Sequence, residues 1–166
     1  MIHIKKNCDS FFIITLFLLS FVTSAIALEE NGLPVPRFVS LRSNEVNLRV
    51  GPGSRYNINW VYKRDGLPVE IIQEFDDWRE IRDSEGSTGW VHKQMLQGKR
   101  SAIITDNLAT LRKSPDDRSY PVIRAEAGVI AKIIECEIDW CKLQISGHKG
   151  WIKKTSIFGA YKKEKF

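Results

Sequence analysis

The chain says much the same thing twice. Asn47-Leu48-Arg49-Val50-Gly51-Pro52-Gly53 returns as Thr110-Leu111-Arg112-Lys113-Ser114-Pro115-Asp116, Asp77-Trp78 as Asp139-Trp140, and Gly89-Trp90-Val91 as Gly150-Trp151-Ile152. The offset closes from 63 to 61 positions across the unit, as short loop deletions inside a duplicated segment produce. A period of about 60 residues suits one small domain and is short for an enzyme. Two similar modules in tandem are therefore expected. Modules this small have much surface for their volume, so each gains from packing on its twin or from a covalent staple.

Residues 1–27 read as a secretory signal peptide: Lys5 and Lys6 precede an apolar run from Phe11 to Val22, and Ala25-Ile26-Ala27 is a small-x-small cleavage site. An uncleaved anchor is the alternative, although a run of about a dozen residues falls short of the roughly 20 that span a bilayer. The expected product is exported, periplasmic or secreted. The whole chain carries a formal net charge of +5, with positive charge gathered at Lys153, Lys154, Lys162, Lys163 and Lys165. Such a tail is drawn to an anionic polymer or membrane surface, or serves only solubility. Nucleic acid is excluded as a partner, because an exported chain does not meet it.

Residues 28–37 have linker composition, with Asn31-Gly32 and two prolines. Beyond them, apolar alternation is punctuated by turn residues. In the first unit it gives strands near residues 46–50, 58–63, 67–75, 78–82 and 89–92, with one 3₁₀ turn near 93–96. The second unit copies this at 108–111, 121–125, 129–136, 140–145 and 150–152. No segment has helical period for longer than a turn. The expected fold is all-β, with about five short strands per module closing into small barrels that hide their edges. The divisions are 38–97 for the first module and 98–166 for the second, which carries the basic tail.

The residues also carry a resemblance. Asn-Leu-Arg-x-Gly-Pro-Gly-x-x-Tyr at 47–56, an apolar strand, Asp-x-Trp at 76–78 and Gly-Trp-Val at 89–91 resemble the bacterial SH3 (SH3b) domain. The second unit resembles a variant of it, with Glu-Cys-x-x-x-Trp-Cys-x-Leu and Gly-Trp-Ile. Over residues 38–161 the arrangement is similar to exported tandem SH3-like proteins of alphaproteobacteria. The resemblance implies two SH3-like barrels and an aromatic groove of the kind in which such barrels hold peptides.

Cys136 and Cys141 flank Glu137-Ile138-Asp139-Trp140 and would face each other across a hairpin. In an oxidising compartment this pair is expected to form a disulfide. A redox-active dithiol is the alternative, but it prefers Cys-x-x-Cys at a helix start. The first module has Glu74 and Arg79 at the matching places. The resemblance also raises cysteine peptidases, which SH3b modules often accompany. A nucleophilic cysteine would need a histidine base beside it, and His92 and His148 fall one to a module. Ligand spacing for a metal is absent, and Asp76-Asp77 and Asp116-Asp117 fall where turns favour Asp. No enzyme, metal or cofactor is expected.

Aromatic residues remain as the candidate site. Ile81 and Val91 take the apolar side of their strands, which turns Trp78 and Trp90 outward, and the repeat makes Trp140 and Trp151 their counterparts. Trp60 and Tyr62 also face outward from Ile58 if that strand keeps strict period two. With Tyr56 these form the expected ligand-binding set, for peptide, peptidoglycan or an envelope protein. The functional expectation is a non-catalytic envelope binding module, with a periplasmic assembly factor as the alternative. The same tryptophans could instead seal the barrel ends or the junction between modules.

Overall fold

Val46 and Leu48 alternate with Asn47 and Arg49, and the structure turns that alternation into a strand whose apolar residues are buried. The computed structural model describes residues 32–166. The signal peptide expected at 1–27 lies outside the described residues. All that follows concerns the unit Leu33–Phe166.

Seven strands make the first module: β1 Arg37–Leu41, β2 Val46–Arg49, β3 Ile58–Tyr62, β4 Pro68–Phe75, β5 Trp78–Arg82, β6 Thr88–His92 and β7 Leu96–Gln97. They form one antiparallel sheet in the order β3-β2-β6-β5-β4-β1-β7. The second module repeats it with β8 Ser101–Ile104, β9 Leu108–Arg112, β10 Pro121–Glu126, β11 Ile130–Cys136, β12 Trp140–Ile145, β13 His148–Lys153 and β14 Ile157–Phe158, in the order β10-β9-β13-β12-β11-β8-β14. A single 3₁₀ turn precedes β7 and another precedes β14. The fold is thus all-β and tandem, but each sheet has seven strands where periodicity gave five. The additions are β1 with β7 and β8 with β14. The last strand of each pair is two residues long, too short to show alternation.

Each sheet folds over its own core. Leu41, Leu48, Val69, Ile71, Ile81 and Val91 fill the first, and Ile104, Leu111, Cys141, Leu143 and Ile152 the second. Close approach of β6 to β2 requires a glycine. A Cβ on Gly89 would lie 2.7 Å from Leu48 Cγ, and one on Gly150 would lie 2.8 Å from Leu111 Cβ.

The modules share a packed junction. Ile103 of β8 points into the first core, and Ile130 and Phe158 pack against the same cluster. Phe38 meets Phe158 edge-on at 5.0 Å and Tyr161 at 4.7 Å. The Ser40 hydroxyl donates to the Lys99 carbonyl at 2.8 Å, and that of Ser101 to the Gly66 carbonyl at 2.7 Å. Tyr161 donates its hydroxyl to Oε1 of Glu70, a buried carboxylate whose other oxygen takes Arg82.

Cys136 and Cys141 stand opposite each other in β11 and β12 and are joined as a disulfide. The equivalent cross-strand pair in the first module is Glu74 with Arg79, an ion pair at 2.8 Å that also engages Arg37 at 2.5 Å. A covalent link and a charged cluster thus hold the same place in the two copies.

The basic tail, read from sequence as drawn to an anionic surface or serving only solubility, is folded against the second module. Cys136 N–H donates to the Phe166 carbonyl at 2.9 Å, and Phe166 N–H to the Cys136 carbonyl at 3.3 Å. Arg100 binds Glu164 at 2.6 Å and the Gly159 carbonyl at 2.7 Å. Lys154, 6% exposed, lies beneath and donates to the carbonyls of Glu164 and Lys162. Charge composition revealed the lysines but not these backbone partners.

Candidate functional site

Two equivalent grooves are built from the repeated residues. In the first module, Trp78 opens β5 directly opposite His92, and their rings meet edge-on at 5.4 Å. The loop after β2 forms one bank. It is closed by Gly53 N–H to the Gly51 carbonyl at 3.0 Å and Tyr56 N–H to the Gly53 carbonyl at 3.2 Å. Arg49 reaches across to the Tyr56 carbonyl at 2.7 Å. Pro52, Gly53, Ser54 and Arg55 face Asp76, Asp77, Trp78 and His92 over a groove of 530 Å³. The Asp77 carbonyl accepts the Lys93 N–H at 2.8 Å, and its carboxylate pairs with the Lys93 ammonium at 2.5 Å. That bond and the lysine charge hold the Asp77 carboxyl below its ordinary value.

Trp140 occupies the same place in the second module, opposite Lys153. The loop is again closed locally, by Asp116 N–H to the Ser114 carbonyl at 2.8 Å and Ser119 N–H to the Asp116 carbonyl at 3.0 Å. Arg112 bridges to the Ser119 carbonyl at 2.8 Å, and Lys154 N–H donates to the Asp139 carbonyl at 2.9 Å. The groove is 520 Å³, with Asp117, Ile138, Asp139, Lys153 and the tail residues Lys162 and Lys163 around the indole. The Lys153 ammonium sits 5.5 Å from the Trp140 ring centre and pairs with Asp117 at 2.6 Å. Burial pushes the Lys154 ammonium below its ordinary pKa.

The remaining aromatic candidates lie elsewhere. Tyr56 is half-buried with its ring against Gly51, where a Cβ would come within 2.6 Å of it, so Tyr56 props the loop. Trp90 is half-buried on the outer face, opposite Glu80 and beside Arg49. Trp151 corrects the expectation of an outward ring: it is only 8% exposed. The repeat carried its strand position, but Lys142 stands where the first module has Glu80. The Lys142 ammonium lies 5.5 Å over the indole and is held there by Glu135 at 2.9 Å.

Trp60 is 62% exposed, as expected, whereas Tyr62 corrects the expectation of an outward side chain and is buried at 7%. Leu48 pairs with Trp60 and Arg49 with Ile58, so Asn59 is an extra residue that breaks period two. Trp60 and Tyr62 both lie beyond that bulge, opposite buried Leu48 and Val46 and therefore on one face. Tyr62 is covered there, its hydroxyl donating to Asp83 at 2.9 Å, while Trp60 stays open. Burial and that bond raise the Tyr62 hydroxyl pKa. Trp60 and Tyr62 do share a 340 Å³ cleft with Leu48, Leu67, Ile103 and Asp83. The seven candidates therefore do not form one surface. Trp78 and Trp140 line the two grooves, Trp60 and Tyr62 one cleft, Tyr56 props a loop, Trp90 lies on the outer face and Trp151 is buried.

His92 was missed as a groove residue although it shares outward parity with Trp90 in β6. Ile103 carried no signal, since its role depends on the module junction. Among the described residues, no group of three or more His, Cys, Asp or Glu side chains is placed to hold a metal. An indole edge, short loop backbones and mixed charges equip the grooves for stacking and hydrogen bonding to an extended ligand.

A family model described as bacterial SH3 domain matches the chain twice, over residues 42–98 and 105–159. No curated protein sequence gives a significant match. Solved structures similar to the chain include NlpC2 from Trichomonas vaginalis, at 12% identity and a TM-score of 0.35, over 78% of this chain and 50% of that one. NlpC1 from the same organism aligns at 14% identity and 0.33, over 76% and 46%. An NlpC/P60 family protein from Bacillus cereus aligns at 11% identity and 0.33, over 73% and 55%. The chain thus spans about half the length of each.

Proposed function

The chain belongs to the bacterial SH3 domain family, and from that premise we propose that it is a non-catalytic binding module of the cell envelope. In this reading it grips peptide or peptidoglycan components in the Trp78 groove. One observation carries the reading: the same groove is built twice. In both copies a tryptophan opens the fifth strand, a loop closed by the same backbone bonds forms one bank, and an aspartate carbonyl anchors the following turn. Core packing alone does not call for a half-buried indole beside an open loop. A ligand that stacks on the indole does. The envelope location rests on the composition of residues 1–27, and cell fractionation tests it.

The test is co-sedimentation of the protein with purified peptidoglycan sacculi. The wild type is expected in the pellet. Trp78→Ala is expected to move it toward the supernatant while leaving the circular dichroism spectrum unchanged. Wild-type protein left wholly in the supernatant would sink the proposal.

The exposed Trp60 and Ile58 on edge strand β3 favour a second reading, in which an envelope protein docks there as in an assembly factor. Crosslinking in cells separates the two readings. Discrete protein adducts at Trp60 support docking, and polymer-linked material at Trp78 supports the groove.

A further inference from the structure

The two tryptophan grooves share a frame and differ in charge. Opposite the indole stands His92 in the first and Lys153 in the second. Lys162 and Lys163 add a wall to the second groove, and Lys165 lies by the adjoining hollow with Cys136, Glu137 and Trp140. These lysines are positioned rather than trailing. The tail that bears them is pinned by the paired backbones of Phe166 and Cys136, by Arg100 on Glu164, and from beneath by the buried Lys154. Asp117, paired with Lys153 at 2.6 Å, and Asp139 line the same groove.

Three kinds of contact therefore converge at Trp140. An indole face packs against the C–H face of a ring, ammonium groups take anions, and carboxylates accept hydroxyl donors. We propose that the Trp140 groove binds an acidic glycan, a chain of sugar rings bearing carboxylate or phosphate groups. Sugars supply the apolar ring face and the hydroxyls, and their acidic substituents face the lysine wall. An anionic bilayer suits the site less well, because Trp140 and the lysines line a groove of 520 Å³ that a single glycan chain can enter and a flat headgroup surface cannot. The inference rests on reading the tryptophan grooves as binding sites and gives the second groove its ligand class.

The experiment titrates the full chain with an oligomer of galacturonic acid and with a maltose-series oligomer of equal length, following heat and tryptophan fluorescence. The acidic oligomer is expected to bind, and the neutral one at least about tenfold more weakly. The double replacement Lys162→Glu with Lys163→Glu should weaken acidic binding by roughly tenfold or more, and Trp140→Ala should do likewise. Lys132→Glu with Lys149→Glu makes the same charge change away from the groove and should cost less than about twofold. Equal affinity for both oligomers, no binding of the acidic one, or equal loss in both double variants overturns the proposal. Capture by phosphatidylglycerol vesicles without oligomer binding overturns it in favour of a membrane surface. Retention on sacculi that still depends on Trp78 would then show that this inference alone had failed.

Discussion

Removing the disulfide should reveal whether the two modules unfold together. The link joins residues 5 apart in sequence. Chain-entropy accounting for so small a loop gives about 2 kcal/mol of stabilisation. The perturbation is Cys136→Ala with Cys141→Ala, since serine would leave a hydroxyl in a site where Cys141 is wholly buried. Unfolding entropy is about 2.1 cal/mol/K per residue. If the junction through Ile103, Phe158 and Tyr161 makes one cooperative unit of roughly 130 residues, the midpoint should fall by about 7 °C. If the second module, roughly 65 residues, unfolds alone, its midpoint should fall by about 15 °C. The assay is differential scanning calorimetry of wild type and variant, with reduced wild type as a control for the substituted side chains. We expect one transition and the smaller drop. Two resolved transitions, with only one of them shifted, would refute the coupling argument. A shift below about 2 °C in both variant and reduced protein would refute the stapling argument.

Other consequences follow from single contacts. Tyr161→Phe strips one donor from the buried Glu70 carboxylate, which keeps Arg82. It should cost about 1–2 kcal/mol in urea unfolding. Gly89→Ala forces a methyl group against Leu48 and the Arg49 carbonyl oxygen and should cost about 1–3 kcal/mol, with the loss read by thermal melting. Burial would raise the Glu164 carboxyl, but Arg100 and the Tyr161 N–H hold it below its ordinary value. Its contribution is therefore present above the unfolded glutamate pKa and is lost as pH falls through the lowered folded value. Amide resonances of Phe166 and Cys136 should report tail release only below about pH 4, and resonances unmoved at still lower pH would contradict the latch.

Legibility in the sequence followed the range of the interaction concerned. Val46, Leu48, Ile81 and Val91 declared their faces through period two, because each lies in a strand long enough to alternate. The disulfide was legible because Cys136 and Cys141 form an even pair flanking a short hairpin turn, and the register sets them opposite each other. Tyr62 was misread because parity sets it on one face with the exposed Trp60 and does not tell that Tyr62 is covered there, with Asp83 taking its hydroxyl, while Trp60 stays open. Trp151 was misread for a different reason. Its strand position was inherited through the repeat, while its cover, Lys142, came from substitution on the neighbouring strand. Alternation tells which way a side chain points and cannot tell what arrives from elsewhere to lie over it.

The same limit explains the asymmetry of the two copies. The first module meets the demand for a clasp between its fourth and fifth strands with Arg37, Glu74 and Arg79, and it borrows Ile103, Ile130 and Phe158 to complete its core. The second closes the equivalent place with a disulfide and pairs the adjacent backbone with its own C-terminal residue. Duplication supplied one groove twice. What followed at the edges, in a tail long enough to reach Cys136 and rich enough in lysine to wall Trp140, gave the grooves different chemistry. A swap that puts lysine at position 92 should therefore leave the first groove well short of the second in affinity for anions. His92→Lys restores the residue opposite the indole but not the wall formed by Lys162 and Lys163. An affinity for the galacturonic acid oligomer at the Trp78 groove equal to that at Trp140 would show that the tail contributes nothing.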